Sequence, residues 1–290
     1  MSQATGTEGS ASLQSGKAGE PSTVEGDAAT TESPLFNNSV EKAFAVLRSF
    51  GQKYRSMTLS QIAEAAGINK SSAQRSSYTL EVLGYLCKEP QTRRYMLTPK
   101  VLELGFCYIH SDPLLDHANP YLAELNIRCK ETVNLWRPDG SDMICIARFP
   151  GHLQVTSHMP LGKRLPMYCA SSGRAYLSGR PSDEVQRILS LTNFLAYTPN
   201  TIVSRDAIAK KIDDGRAAGY CWAYDEYYRG DIAIAAPVLG AEGYAIAAVN
   251  ISVPITRWTV DDAIAHFSPH VLEVARSISR VPEPGVLAAD

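Results

Sequence analysis

TLSQIAEAAGINKSSAQRSSYTLEVLGYL, residues 58–86, decides how the chain is read. Thr58 and Gln61 have the spacing of a capping box, in which the threonine hydroxyl accepts an N–H of the first turn and the glutamine reaches back. Ile62, Ala63 and Ala66 then fall on one helical face. Gly67 supplies the left-handed residue that ends a helix at least cost, and Ile68 an apolar contact just past it. Asn69 caps the next helix, expected from about residue 70 to 83, whose first turns carry Lys70, Ser71, Ser72, Gln74 and Arg75. A helix that opens on polar and basic side chains suits a polyanion.

Working outward, Val40, Ala43, Phe44, Val46, Leu47 and Phe50 recur at helical spacing, which predicts an amphipathic helix behind the other two. Downstream, residues 85–88 and 94–97 read as two short strands around Pro90, Gln91 and Thr92. Three helices and a ribbon make a winged helix-turn-helix over 39–98. Lys70, Arg75, Arg93 and Arg94 are placed to neutralise phosphates, and Gln74 and Arg75 to reach base edges in the major groove. Residues 39–98 hold nine basic and four acidic residues, a balance of +5. The whole chain carries −2, so the remainder carries −7. A basic module on an acidic body fits nucleic-acid binding by one part only. The alternative is a protein-interaction module that uses the winged head as a docking surface.

With 290 residues the chain has room for about two domains. Residues 1–38 are poor in large apolar side chains and are expected to be disordered, as is a tail over 281–290. No apolar run approaches the ~20 residues that cross a bilayer, and the N-terminal stretch lacks the pattern of a secretory signal. Six cysteines lie far apart, which argues against disulfides and CxxC metal sites and for a reducing cytoplasm. Val101, Leu102, Leu104, Phe106 and Ile109 predict a linker helix over 99–114 that holds and pairs two heads. A further helix is expected from about 114 to 130.

The apolar period then changes to two. Residues 132–136, 142–149 and 153–158 read as antiparallel strands, divided by turn signals at Pro138, Asp139, Gly140, Pro150 and Gly151. Helices follow around 171–177, 181–191 with Ser182 as its cap, and 204–218 with Gly219 past its end. Residues 232–238 and 244–253 form a hairpin. A last helix starts near Thr259, in which Pro269 marks either a kink or a fresh start.

Together these segments resemble the IclR family of bacterial transcription regulators over about residues 39–280. The resemblance rests on Leu59 to Ala63, Gly67 to Ser72, Thr79 to Leu86 and Arg94 to Thr98 in the head. Further on it rests on Gly162 to Pro166, Gly173 to Ala175, Gly219-Tyr220, Asp225-Glu226, Gly230, Ala235 to Val238 and Ile251-Ser252. It implies an α+β protein in which the winged helix-turn-helix domain is joined by the linker helix to a GAF-like antiparallel-sheet effector-binding domain over 115–280. It also implies a homodimer or homotetramer on partly palindromic double-stranded promoter DNA. Ser76 and Ser77 depart from the pattern, since bulky apolar residues are usual there.

By the same resemblance the effector lies between the sheet and residues 167–174, facing the late hairpin. The residues assigned to it are Tyr168, Ala170, Ser171, Ser172, Tyr224, Asp231, Ala233, Asn250 and Ser252. Small residues at a helix start expose N–H groups to an anion, and Asn250 and Ser252 alternate onto one face. Trp222, Tyr224, Tyr227 and Tyr228 are candidates to wall an aromatic ring, and Arg148 and Arg229 to pair with a carboxylate. The expected effector is a small organic acid, aromatic or phenolic, in control of catabolic genes. No catalytic motif is present: nucleophile elbow, phosphate loop, metalloprotease pair and dinucleotide fingerprint are all missing. Cys169 with His152 and His158 is the nearest approach to a nucleophile set, and a buried structural thiol is the commoner meaning. No cofactor or metal is called for, and no membrane partner.

Overall fold

The computed structural model describes residues 33–51, 54–151 and 159–279. Of the tail expected over 1–38, residues 1–32 lie outside them, as do the tail over 281–290 and the strand over 153–158; at its end Asn37 instead caps a helix that begins at Asn38. The chain divides into two compact units between Thr98 and Pro99.

In the first unit, α1 (Asn38–Arg48), α2 (Leu59–Ala65) and α3 (Lys70–Val82) precede a ribbon of β1 (Leu86–Lys88) and β2 (Tyr95–Leu97). Each helix starts at a side-chain cap. Asn37 Oδ1 accepts from Ser39 N at 2.9 Å, Thr58 and Gln61 form the reciprocal box, and Asn69 Oδ1 accepts from Ser72 N at 2.8 Å. Both α2 and α3 end in Schellman motifs. Gly67 N donates to Glu64 O and Ile68 N to Ala63 O, and the same pairing joins Gly84 to Glu81 and Tyr85 to Leu80. Both glycines are left-handed, with φ of +66° and +82°. Met57 bridges to Tyr95, adding a short third member to the wing. The core is Val46, Met57, Ile62, Ala63, Ala73, Leu80, Leu86 and Tyr95.

Ser77 sits in that core fully buried, and its hydroxyl has no hydrogen-bond partner. A desolvated, unpaired hydroxyl lowers stability. Ser77→Ala is therefore expected to stabilise the head by about 1 kcal/mol, read as a higher denaturation midpoint. A lower midpoint would show that the hydroxyl is satisfied in solution.

The second unit opens with a 3₁₀ turn (Pro99–Val101), α4 (Leu102–Ser111) and α5 (Pro113–Cys129), which Asp112 caps through Leu114 N at 3.0 Å. The sheet strands are β3 (Thr132–Asp139), β4 (Asp142–Phe149), β5 (Arg164–Pro166), β6 (Cys221–Tyr224), β7 (Asp231–Leu239) and β8 (Ala245–Pro254). They pair antiparallel in the order β5-β4-β3-β8-β7-β6. After β5, a 3₁₀ turn (Met167–Cys169) leads into α6 (Ser171–Ser178), α7 (Ser182–Leu191) and α8 (Arg205–Ala218), and α9 (Val260–Ile278) closes the described chain. One sheet face buries Leu135, Ile234, Val249 and Ile251 under α5 and α9, with Leu122 and Phe267 among the contacts. The other buries Trp136, Cys145, Ala235 and Ala248 under α6 and the helices beyond it.

Several expectations are corrected. Pro181 is the N-cap of α7 without a side-chain bond, and Ser182 is its first helical residue, so Ser182 does not cap it. Pro269 lies inside a continuous α9 and starts no new helix. The short strands β5 and β6 were not expected from their composition. The β3–β4 turn is Gly140-Ser141, because Asp139 pairs with Asp142. Pro138 is tolerated near the end of β3 because pairing with β8 stops at Trp136, leaving no ladder bond for its missing N–H.

Candidate DNA-reading surface and ligand pocket

The buried residues of α3 are Ala73, Ser77 and Leu80. Its opposite side leaves Lys70, Ser71, Gln74 and Arg75 exposed, and Ser72 half-buried at the edge. Tyr78 continues that face one turn further, 66% exposed, and was not among the residues singled out from sequence. Its signal was the i, i+4 relation to Gln74.

The two wing arginines separate. Arg94 donates from Nε to Ser56 Oγ at 3.0 Å and from Nη2 to Ser56 O at 2.9 Å and Gln61 Oε1 at 3.1 Å. Three bonds fasten the root of the wing to the start of α2, so Arg94 holds the wing in place rather than reaching outward as its grip. Arg93 is exposed and left-handed at φ +55°, a conformation that disfavours most side chains other than glycine and asparagine. Arg93→Gly is expected to raise head stability by up to ~1 kcal/mol while weakening DNA binding, a pair of opposite signs read by melting and gel shift. Unchanged binding by a stably folded variant would remove Arg93 from the contact surface.

In the second unit a recess opens between the sheet and α6. Cross-strand register builds its floor. Ala233, Ser252 and Thr132 align on β7, β8 and β3, and in the next row Ala235, Asn250, Asn134 and Arg148 align on β7, β8, β3 and β4. Asn250 Oδ1 accepts from Asn134 Nδ2 at 3.0 Å and from Trp136 Nε1 at 2.7 Å, and Arg148 Nη1 donates to Asn134 Oδ1 at 3.2 Å. Opposite this floor, Ala170, Ser171 and Ser172 line the recess at the start of α6, where no side chain caps the first-turn N–H groups. Tyr227 and Tyr228 complete the wall, edge to face with ring centroids 4.8 Å apart.

Seven of the nine expected effector residues thus meet: Ala170, Ser171, Ser172, Asp231, Ala233, Asn250 and Ser252. Two do not. Tyr168 is buried behind the lining, its hydroxyl donating to Leu195 O and accepting from Leu195 N at 2.8 Å. Tyr224 pairs with Ile232, on the opposite sheet face from Ala223, so strand alternation turns it away. Trp222 packs on that same far side, and Arg229 is not in the lining. Arg148 is, and so is Trp136, which sequence reasoning missed within an apolar strand.

The loop bearing Tyr227 and Tyr228 is held by a buried ion pair. Arg174, with no exposed surface, bonds Glu226 through Nη1–Oε1 and Nη2–Oε2, each at 2.6 Å, and its Nε donates to Tyr168 O at 2.8 Å. Glu226 Oε2 also accepts from Ile202 N at 3.2 Å, and Thr201 Oγ1 donates to Glu226 O at 2.6 Å. Burial pushes the Asp231 carboxyl up to about 6, against the opposing pull of the Ser252 hydroxyl and the Arg148 charge. Burial likewise pushes the Cys169 thiol up to about 12, which keeps it out of its nucleophilic thiolate form. His152 and His158 lie outside the described residues. Among the described residues, no group of three or more His, Cys, Asp or Glu could hold a metal, and no helix is long and apolar enough to cross a membrane.

A winged reading head and a sheet domain with a polar recess define a DNA-binding, ligand-responsive class of protein. Residues 39–90 match the IclR helix-turn-helix domain, and residues 106–280 match the family described as bacterial transcriptional regulator IclR C-terminal. The chain belongs to the IclR family and is a DNA-binding transcriptional regulator. It is 32% identical over 251 residues to the Pca regulon regulatory protein of Pseudomonas putida, covering 86% of each chain. With the regulator KdgR of Escherichia coli it shares 29% over 242 residues, 83% of this chain and 91% of the relative. A putative transcriptional regulator from Rhodococcus sp. RHA1 has a solved structure similar to this one, with a TM-score of 0.73 at 34% identity over 84% of this chain and 98% of that one. These relatives are named as regulators and not as enzymes.

Proposed function

We propose that α3 reads partly palindromic double-stranded promoter DNA in the cytoplasm, with Lys70, Ser71, Gln74, Arg75 and Tyr78 as its contact face and Arg93 on an adjoining phosphate. The carrying observation is that these side chains are exposed while the caps and core hold the helix rigid beneath them. Gln74→Ala alters sequence preference, whereas Lys70→Ala and Arg93→Ala weaken binding to all sequences and reduce its salt dependence. A gel shift on the DNA upstream of neighbouring genes tests this. No retardation of any such fragment at low salt would sink it.

The same reading gives the recess a small organic acid, aromatic or phenolic, whose occupancy governs catabolic genes. Its support is the pairing of Arg148 and the uncapped start of α6, both suited to an anion, with the aromatic surfaces of Trp136, Tyr227 and Tyr228. Differently named regulators lie at similar identity, so descent alone does not choose the ligand. Calorimetric titration of the full chain with aromatic and aliphatic acids checks the assignment, and binding to short aliphatic acids alone would overturn the aromatic part. The protein acts as a homodimer or homotetramer. Leu102, Leu104 and Phe106 of α4 are exposed apolar side chains suited to contact with a second copy. Sedimentation of Phe106→Glu, expected to be a smaller species than wild type, tests that surface.

A further inference from the structure

The recess contains a group that an acid effector does not explain. Asp231, the first residue of β7, lines it on the same face as Ala233, and its Oδ1 accepts from the Ser252 hydroxyl. Among the described residues Ser252 is the only hydrogen-bond donor to this carboxylate, which has room for about four. A second carboxylate facing an anionic ligand repels it, unless the ligand itself brings a donor to that end of the recess.

Resting on the reading of the recess as an acid-binding site, we propose that Asp231 is a specificity-determining residue: it accepts a hydrogen bond from a hydroxyl on the effector and selects hydroxylated acids over their unsubstituted parents. Arg148 and the start of α6 take the ligand's carboxylate, and Asp231 with Ser252 takes its hydroxyl. Burial makes the bond worth having, because desolvation already pushes the carboxyl up to about 6 despite the Ser252 hydroxyl and the Arg148 charge. A ligand O–H aimed at it makes a charge-assisted bond, whereas a ligand with only C–H there leaves the carboxylate both desolvated and unpaired. Sites built to hydrogen-bond a hydroxyl discriminate strongly against analogues that lack it.

The test is calorimetric titration of the full chain with benzoate and each of the three monohydroxybenzoates, using wild type, Asp231→Asn and Asp231→Ala, with folding checked by thermal melting. In wild type at least one hydroxybenzoate is expected to bind about tenfold or more tightly than benzoate. In Asp231→Ala that ratio falls to within about twofold, and benzoate binds as well as or better than before because the repulsion is gone. The isosteric Asp231→Asn gives an intermediate ratio, and carries the comparison if the alanine variant does not fold. Equal loss for benzoate and hydroxybenzoates would make Asp231 merely structural and overturn the proposal, as would a ratio unchanged by both variants. If benzoate binds and no hydroxybenzoate binds tighter in wild type, the proposal fails while the acid-binding reading stands. If none of the four acids binds, the aromatic-acid reading fails and the proposal falls with it.

Discussion

Arg174→Met is expected to lower the stability of the effector domain by about 3–5 kcal/mol. The substitution keeps most of the apolar stem but leaves Glu226 buried without its bidentate partner. An isolated carboxylate in that position loses far more in solvation than its remaining bonds from Ile202 N and the surrounding loop return. The double variant Arg174→Met with Glu226→Leu removes both charges and is expected to recover part of the loss, since an apolar pair carries no unpaired charge. Chemical denaturation of wild type, both single variants and the double variant gives the coupling directly. Strict additivity would mean that the two side chains do not act as a pair. Ligand affinity should fall even in the double variant, because Arg174 also holds Tyr168 O and the pair fixes the loop bearing Tyr227 and Tyr228.

Gly173→Ala is expected to be nearly as damaging, for a steric reason. A Cβ built on Gly173 would stand 2.2 Å from Met167 Cα and 2.4 Å from Met167 O. Those are backbone atoms, so no side-chain rotation relieves the clash and the 3₁₀ turn must move away from α6. Overpacking of this kind costs typically about 1–3 kcal/mol and more when backbone is displaced. The displaced turn leads directly into Ala170, Ser171 and Ser172 and would shift against them, so acid binding should disappear while the winged head, a separate unit, still retards DNA. A variant with wild-type melting temperature and wild-type ligand affinity would show that the turn yields at no cost.

The head was legible because its signals are local. A threonine and a glutamine three apart, a glycine shortly after seven helical residues and an asparagine two further on each specify one backbone event, and all three occur as read. Arg93 and Arg94, in contrast, are identical in type and adjacent. The left-handed turn at Arg93 sends one outward and folds the other back on Ser56, and nothing in their residue types encodes that choice. The recess was legible where one strand's alternation settles the face, as for Asn250 and Ser252. It was not legible at Trp222 and Tyr224, where a run of aromatics invites a wall and only pairing with Ile234 and Ile232 reveals the opposite face. Trp136 was hidden because β3 is buried along both faces, which erases the alternation that would have pointed to it.

The floor of the recess has a direction. Arg148 donates to Asn134, Asn134 donates to Asn250, and Trp136 donates to the same oxygen of Asn250, so the hydrogens from β4 and β3 all point toward β8. An anion that draws Arg148 away from Asn134 frees that amide's oxygen and loosens its orientation, and the disturbance reaches the indole of Trp136 through Asn250, in addition to any contact the ligand makes with the ring itself. A sheet of this kind carries news of occupancy sideways, across its strands, and the tryptophan's emission spectrum is where it can be read.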